Sequence, residues 1–114
     1  ALERAAAAGL PAARIAVDPG IGFAKTAAHN LELIGRLDTL RRLGRPVLLG
    51  PSRKSFIGAV LGGIAAEERA TGTAAACVVG LLGGARIFRV HDVRIVREAL
   101  EVAEAIRRAT AGSR

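Results

Sequence analysis

Three short apolar runs rich in β-branched residues constrain this chain most: residues 14–18 (RIAVD), 46–50 (PVLLG) and 86–90 (RIFRV). Each is preceded by a turn and followed by Gly, Pro or polar residues, which is how strands read in sequence. Helical patterns separate them. Residues 27–43 put Leu31, Ile34, Leu37 and Leu40 or Leu43 on one stripe ended by Gly44. A short helix is expected over 55–61 and a longer one over 66–82, and residues 93–109 repeat Val93, Val96, Leu100, Ala103 and Ile106 at helical spacing. With a helical start at residues 1–9, the order is α-β-α-β-α-α-β-α. Strands joined by helices long enough to return the chain to the same edge form parallel βαβ units, and runs without strict alternation point to strands covered on both faces. The class is α/β: either an open doubly wound sheet or part of an eight-stranded barrel, whose full form needs roughly 250 residues. Both place ligands at the carboxyl ends of the strands.

Composition narrows the functions. With 114 residues the chain fits one domain, and 51% apolar with 24% charged residues excludes a disordered tail. Aromatics are 3%, with no Trp or Tyr, so stacking platforms for single-stranded nucleic acid are absent. Cys77 is the single cysteine, which excludes a disulfide framework and suits a reducing cytoplasm. The absence of Met leads us to expect a piece of a longer product, and ALERAAAAGL reads as a helix closed by Gly9 rather than a targeting signal. No apolar run approaches the roughly 18 residues needed to cross a bilayer, so a soluble, cytoplasmic protein without a membrane partner is expected. The formal charge of +7 would attract an anion. Yet Arg36, Arg41, Arg42, Arg45, Arg94, Arg97, Arg107 and Arg108 are scattered, without a basic block, which reads as a solvated surface and not as a nucleic-acid site.

The strand ends carry the chemistry. After the first come Asp18, Pro19, Gly20, Ile21, Gly22 and Phe23. Asp18 there either offers an acceptor to a ligand with paired N–H donors or makes an Asx turn that closes the strand. After the second come Gly50, Pro51, Ser52, Arg53, Lys54 and Ser55. Arg53 occupies the second glycine position of a Walker loop, so that motif fails. Ser52 as a helix N-cap with two solvated cations is the plain alternative, but cations oppose the helix dipole there unless something anionic sits nearby. After the third, Arg89 and His91 fall on one side and make a candidate anion site, with Asp92 as the N-cap of the last helix. The alternative is a satisfied His91 with Arg89 paired to an acid.

Taken together and in order, DPGIGF followed by Lys25, GPSRKSFIG and RVHDV resemble the dihydropteroate synthase family over about 75 residues. The resemblance implies the last three βα units of a (β/α)8 TIM barrel, with residues 1–114 as one partial pterin-binding domain. It implies a transferase that joins p-aminobenzoate to 6-hydroxymethyl-7,8-dihydropterin pyrophosphate, releasing pyrophosphate and giving 7,8-dihydropteroate in folate biosynthesis. Asp18 would accept hydrogen bonds from the pterin, and Lys54 would bond the pterin and line the aminobenzoate pocket beside Gly50. Ser55 would hold the aminobenzoate carboxylate, Arg53 would supply positive potential, and Phe23 would pack on that side. Arg89 and His91 would hold the pyrophosphate, and with Lys54 form the catalytic set. No metal ligand is expected among these residues; Mg²⁺ would be held by an amino-terminal part, which the reaction also requires, so the 114 residues alone are expected to be incomplete for catalysis. A homodimer is implied as well. Two other readings stay open: a methyltetrahydrofolate-type pterin methyltransferase, and a non-catalytic oligomerisation remnant.

Overall fold

The computed structural model describes residues 17–22 and 26–112. The expected opening helix, residues 14–16 of the first strand, Phe23 and Lys25 lie outside the described residues. Val17 pairs with Val47 in a parallel bridge, its N–H donating to the Pro46 carbonyl and its own carbonyl accepting from the Leu48 N–H, both at 2.8 Å. Strand β1 (Val47–Leu49) then pairs in parallel with β2 (Ala85–Phe88). The first segment, β1 and β2 are therefore parallel neighbours in that order. The third strand begins and ends earlier than its sequence suggests. β1 stops at Leu49 because Gly50 and Pro51 turn away, so the Arg89 N–H reaches the Leu49 carbonyl at 3.0 Å and Val90 has no strand beside it.

The helices follow their patterns, with two corrections. Residues 27–43 form two helices, α1 (Ala27–Gly35) and α2 (Asp38–Arg41). The break lies where the Thr39 hydroxyl donates to the Arg36 carbonyl at 2.8 Å and Leu37 turns fully inward. Thr26 caps α1 by accepting from the His29 N–H, and Gly44, at φ +71°, provides the left-handed exit after α2. Residues 55–61 form α3 (Ser55–Val60). Residues 66–82 begin as a 3₁₀ turn (Ala66–Glu68) before α4 (Ala70–Leu82), and the last helix is α5 (Val93–Gly112).

One face of the sheet is buried. Val47, Leu49 and Ala85 pack with Ile21, Ile34, Leu37, Phe56 and Ile57, while Ala74, Cys77 and Val96 join α4 to α5. The other face does not meet the expectation of double coverage among the described residues: Leu48 is only half-buried and its partner Ile87 is 42% exposed. The arginine charges are largely answered locally, since Arg36, Arg94 and Arg97 pair with glutamates one turn away. Hydrogen bonds from Arg107 and Arg108 hold the Glu104 carboxyl down at about 2. Among the described residues, no helix is long and apolar enough to cross a membrane.

Gly80 lets α4 lie directly on β1, because a Cβ there would run into the fully buried Leu49 side chain. Gly80→Ala should therefore destabilise the fold by about 1–3 kcal/mol through overpacking. A urea titration checks this, with the midpoint falling at unchanged slope.

Candidate functional site

The carboxyl ends of β1 and β2 meet in a pocket of about 180 Å³ lined by Gly50, Ser52, Lys54, Arg89, Val90 and His91, and Asp18 stands beside it without lining it. Glycines make the close approach possible. A Cβ on Gly50 would sit 2.8 Å from an Arg89 guanidinium nitrogen, so that side chain lies directly against the Gly50 backbone. Gly22, at φ +90°, plays the same part for Lys54, whose Cδ would lie 2.8 Å from a Cβ there. Lys54 thereby reaches across to the end of the first segment, where its ammonium donates to the Ile21 carbonyl. Asn30, buried in α1, fixes that end by accepting from the Gly22 N–H at 2.9 Å.

Asp18 makes the Asx turn of its plainer sequence reading, and its second oxygen meets Arg89, the acid pairing that is the plain alternative for that arginine. The Asp18 Oδ1 accepts from the Gly20 N–H at 2.7 Å, an Asx turn, while Oδ2 lies 3.8 Å from the Arg89 guanidinium. The arginine side chain is 62% exposed and this contact is long, so Arg89 is available to a stronger anion. Arg89 and His91 line the same pocket, but strand alternation does not account for it, because β2 ends at Phe88 and Val90 between them lines the pocket too.

The turn between β1 and α3 departs from the sequence reading. Ser52 is not a helix cap: α3 starts at Ser55 after Lys54, and the Ser52 hydroxyl instead meets His91, accepting its backbone N–H at 2.9 Å and lying 2.6 Å from its Nδ1. Asp92 occupies the N-cap position of α5 through its carbonyl, which accepts from the Val96 N–H at 3.1 Å. Its carboxylate does not cap the helix, because Arg53 takes both oxygens in a two-pronged pair at 2.9 and 3.1 Å. This is the anionic neighbour that a cation beside a helix start requires. The hydrogen bond from Arg53 holds the Asp92 carboxyl below the usual carboxylate range, and the same bond raises the Arg53 guanidinium. Arg53 thus points to Asp92 and does not line the pocket; exposed Ser55 also stands outside it.

Ser52 and Val90 were not singled out as site residues from sequence, nor were Asn30, Thr73 and Arg69, which brace the surrounding turns. A hydroxyl beside two cations was a usable signal for Ser52, whereas Thr73 sits inside an ordinary helical run. Burial pushes the Cys77 thiol up to about 12, so it belongs to the core rather than the chemistry. Among the described residues, no group of three or more His, Cys, Asp or Glu could hold a metal ion.

A parallel α/β unit with an acceptor, a lysine and an Arg–His pair at its strand ends has the form of a small-molecule binding enzyme. The family model described as "Pterin binding enzyme" matches residues 1–91, and the chain belongs to that family. It is 52% identical over 93 residues to the dihydropteroate synthase of a Synechocystis strain, covering 82% of this chain and 32% of that one. It is 40% identical over 104 residues to the Escherichia coli K12 dihydropteroate synthase, covering 91% of this chain and 36% of that enzyme. Among solved structures, Yersinia pestis dihydropteroate synthase superposes with a TM-score of 0.89 at 40% identity, over 93% of this chain and 50% of that one. The Xanthomonas albilineans enzyme in complex with 7,8-dihydropteroate gives 0.90 at 40% identity, over 93% and 40%. The chain thus spans about a third of the length of these two curated relatives.

The Arg53–Asp92 pair has a defined pH signature. An unfolded Asp titrates near about 3.9 and the folded Asp92 below it. Its contribution is therefore present above the unfolded value and lost as pH falls through the folded one. Asp92→Asn should lower stability at neutral pH and flatten the loss of stability between about pH 5 and pH 2. Urea midpoints collected across that range check both effects.

Proposed function

We propose that this chain forms the last three βα units of a (β/α)8 barrel and, within it, carries the strand-end half of a dihydropteroate synthase site. The convergence of Lys54, Arg89 and His91 in one pocket, with Asp18 3.8 Å from Arg89, carries this reading. Family membership and similarity to synthases from several bacteria support it. The open face around Ile87 supports enclosure of these strands in a larger sheet.

In this reading Asp18, an acceptor-only group, takes the pterin's paired N–H donors. Lys54 bridges the first two strand ends and donates to the pterin while bordering the aminobenzoate side beside Gly50; Ser55, outside the small pocket, would hold the carboxylate, with Arg53 supplying positive potential and Phe23 packing contact. Arg89 leaves its long contact with Asp18 for the diphosphate, where its planar fork bonds two oxygens at once. Carbon–oxygen cleavage leaves positive charge on the pterin methylene and negative charge on the departing diphosphate. Donors fixed before the reaction, Arg89 and His91, stabilise that separation, and the aromatic amine then attacks without a strong base. Mg²⁺ would be held by the amino-terminal part of the barrel and would add positive charge beside the departing diphosphate. A homodimer in a cytoplasmic setting completes the proposal. The single cysteine, a buried free thiol, supports the location.

The test is a chimera in which this chain replaces the matching segment of the Escherichia coli enzyme. It should form dihydropteroate from the two substrates. Lys54→Ala in the chimera should lower kcat/KM by about 100-fold or more at little cost in stability. Arg89→Lys should also be poorly tolerated, because a point charge cannot replace a fork. A folded chimera without activity, or one that is indifferent to Lys54→Ala, contradicts the proposal.

A further inference from the structure

Arg53 is the one non-glycine residue with positive φ among the described residues, at +56°. The Lys54 N–H donates to the Pro51 carbonyl at 3.1 Å, so residues 51–54 form a β-turn with Arg53 at the position where positive φ ordinarily selects Gly or Asn. An arginine in that conformation is strained and persists only where its surroundings over-determine it. Here three partners do so. The Arg53 N–H donates to Oγ1 of fully buried Thr73 at 2.9 Å, its carbonyl accepts from an Arg69 guanidinium nitrogen at 2.8 Å, and its own guanidinium grips Asp92. Arg69 is anchored in turn by two hydrogen bonds to the Ile64 carbonyl, at 3.0 and 2.9 Å.

This clamp fixes the residue just before it. Ser52 is 7% exposed, and its oxygen already accepts the His91 backbone N–H. A hydroxyl has a single proton to give, and His91 Nδ1, 2.6 Å away, is the acceptor that the structure offers it. If Nδ1 carried the ring proton, the buried hydroxyl proton would be left without that acceptor. The arrangement therefore selects the imidazole with Nδ1 bare and the proton on Nε2.

We propose that Ser52 is a positioning residue that fixes His91 as its Nε2–H tautomer, and that Thr73 and Arg69, through the left-handed Arg53 backbone, hold Ser52 in place to do so. His91 then offers a single oriented N–H donor beside Arg89. This deepens the anion-site reading and rests on it for the ligand, a diphosphate. A donor already oriented needs no reorganisation as charge builds on the departing oxygens.

The test uses the whole 114-residue chain with 15N-labelled histidine, at pH about 9, where an ordinary imidazole is neutral. Only two histidines are present, and exposed His29 serves as the internal reference. Long-range proton–nitrogen spectra should show His91 as one tautomer with a bare, hydrogen-bonded Nδ1, beside a tautomer mixture at His29. Ser52→Ala should move His91 to the His29 pattern, Thr73→Val should move it in the same direction, and Thr73→Ser should leave it as in the wild type. A purely structural role for Thr73 would lower the melting temperature without altering the His91 signal of folded protein. The wild-type spectrum needs no substitution, so a variant that fails to fold leaves the test standing.

A wild-type His91 with the His29 mixture, or one unmoved by Ser52→Ala, overturns the assignment, and a signal indifferent to Thr73→Val overturns the clamp. Titration with inorganic pyrophosphate supplies the second arm, with Ser52→Ala expected to weaken binding about tenfold. Equal affinities contradict the role of Ser52. Absence of binding with His91 still held as one tautomer instead overturns the anion reading of the pocket, while the Ser52–His91 assignment stands.

Discussion

The site depends on the turn that follows β1, and that turn depends on a left-handed arginine held from three sides. If Arg53 relaxed to an ordinary negative φ, Ser52 and Lys54 could not keep their present opposite engagements, one to His91 and the other to the Ile21 carbonyl. Glycine at this position would relieve the strain but would leave the Asp92 carboxylate without its guanidinium. The sequence therefore keeps a residue whose backbone is unfavourable because its side chain joins the second strand end to the third. Local strain is offset by bonds that reach α4 and the start of α5.

Small residues give this arrangement its compactness. Gly80 seats α4 on β1, Gly50 admits the Arg89 guanidinium, and Gly22 admits the Lys54 stem. The resulting pocket holds two cations and an imidazole, and the Asp18 carboxylate stands beside it, 3.8 Å from the Arg89 guanidinium. Such an arrangement suits a ligand that carries N–H donors on one side and phosphate oxygens on the other. The long Asp18–Arg89 contact is consistent with a site whose own charges face each other until a ligand separates them.

Much of this was legible in the residues. The parallel order followed from the three apolar runs and the helices between them, and the strand ends located Asp18, Lys54, Arg89 and His91 because parallel α/β sheets present their carboxyl ends to ligands. Strand limits were less visible, since β2 ends at Phe88 because β1 stops at Leu49, before Pro51. The break after Gly35 depends on a Thr39 hydroxyl competing for a helical carbonyl, which hydrophobic periodicity does not register. Asp92 keeps the N-cap position read from sequence, but its carboxylate and the Ser52 hydroxyl find partners 39 positions away, a pairing that local motifs cannot encode. Thr73 was silent for the same reason: its oxygen matters only once α4 is laid beside the turn.

We propose that the strand ends recognise a pterin diphosphate through Asp18, Lys54, Arg89 and His91. Amide chemical-shift mapping of the 15N-labelled chimera with the Escherichia coli enzyme, titrated with 6-hydroxymethylpterin pyrophosphate, tests it most directly. The account predicts that the largest shifts will fall on residues 18–22, 50–55 and 89–92, the three strand ends. Shifts centred instead on an apolar groove lined by Leu31, Phe56 and Val79, or no shifts at all, would contradict it.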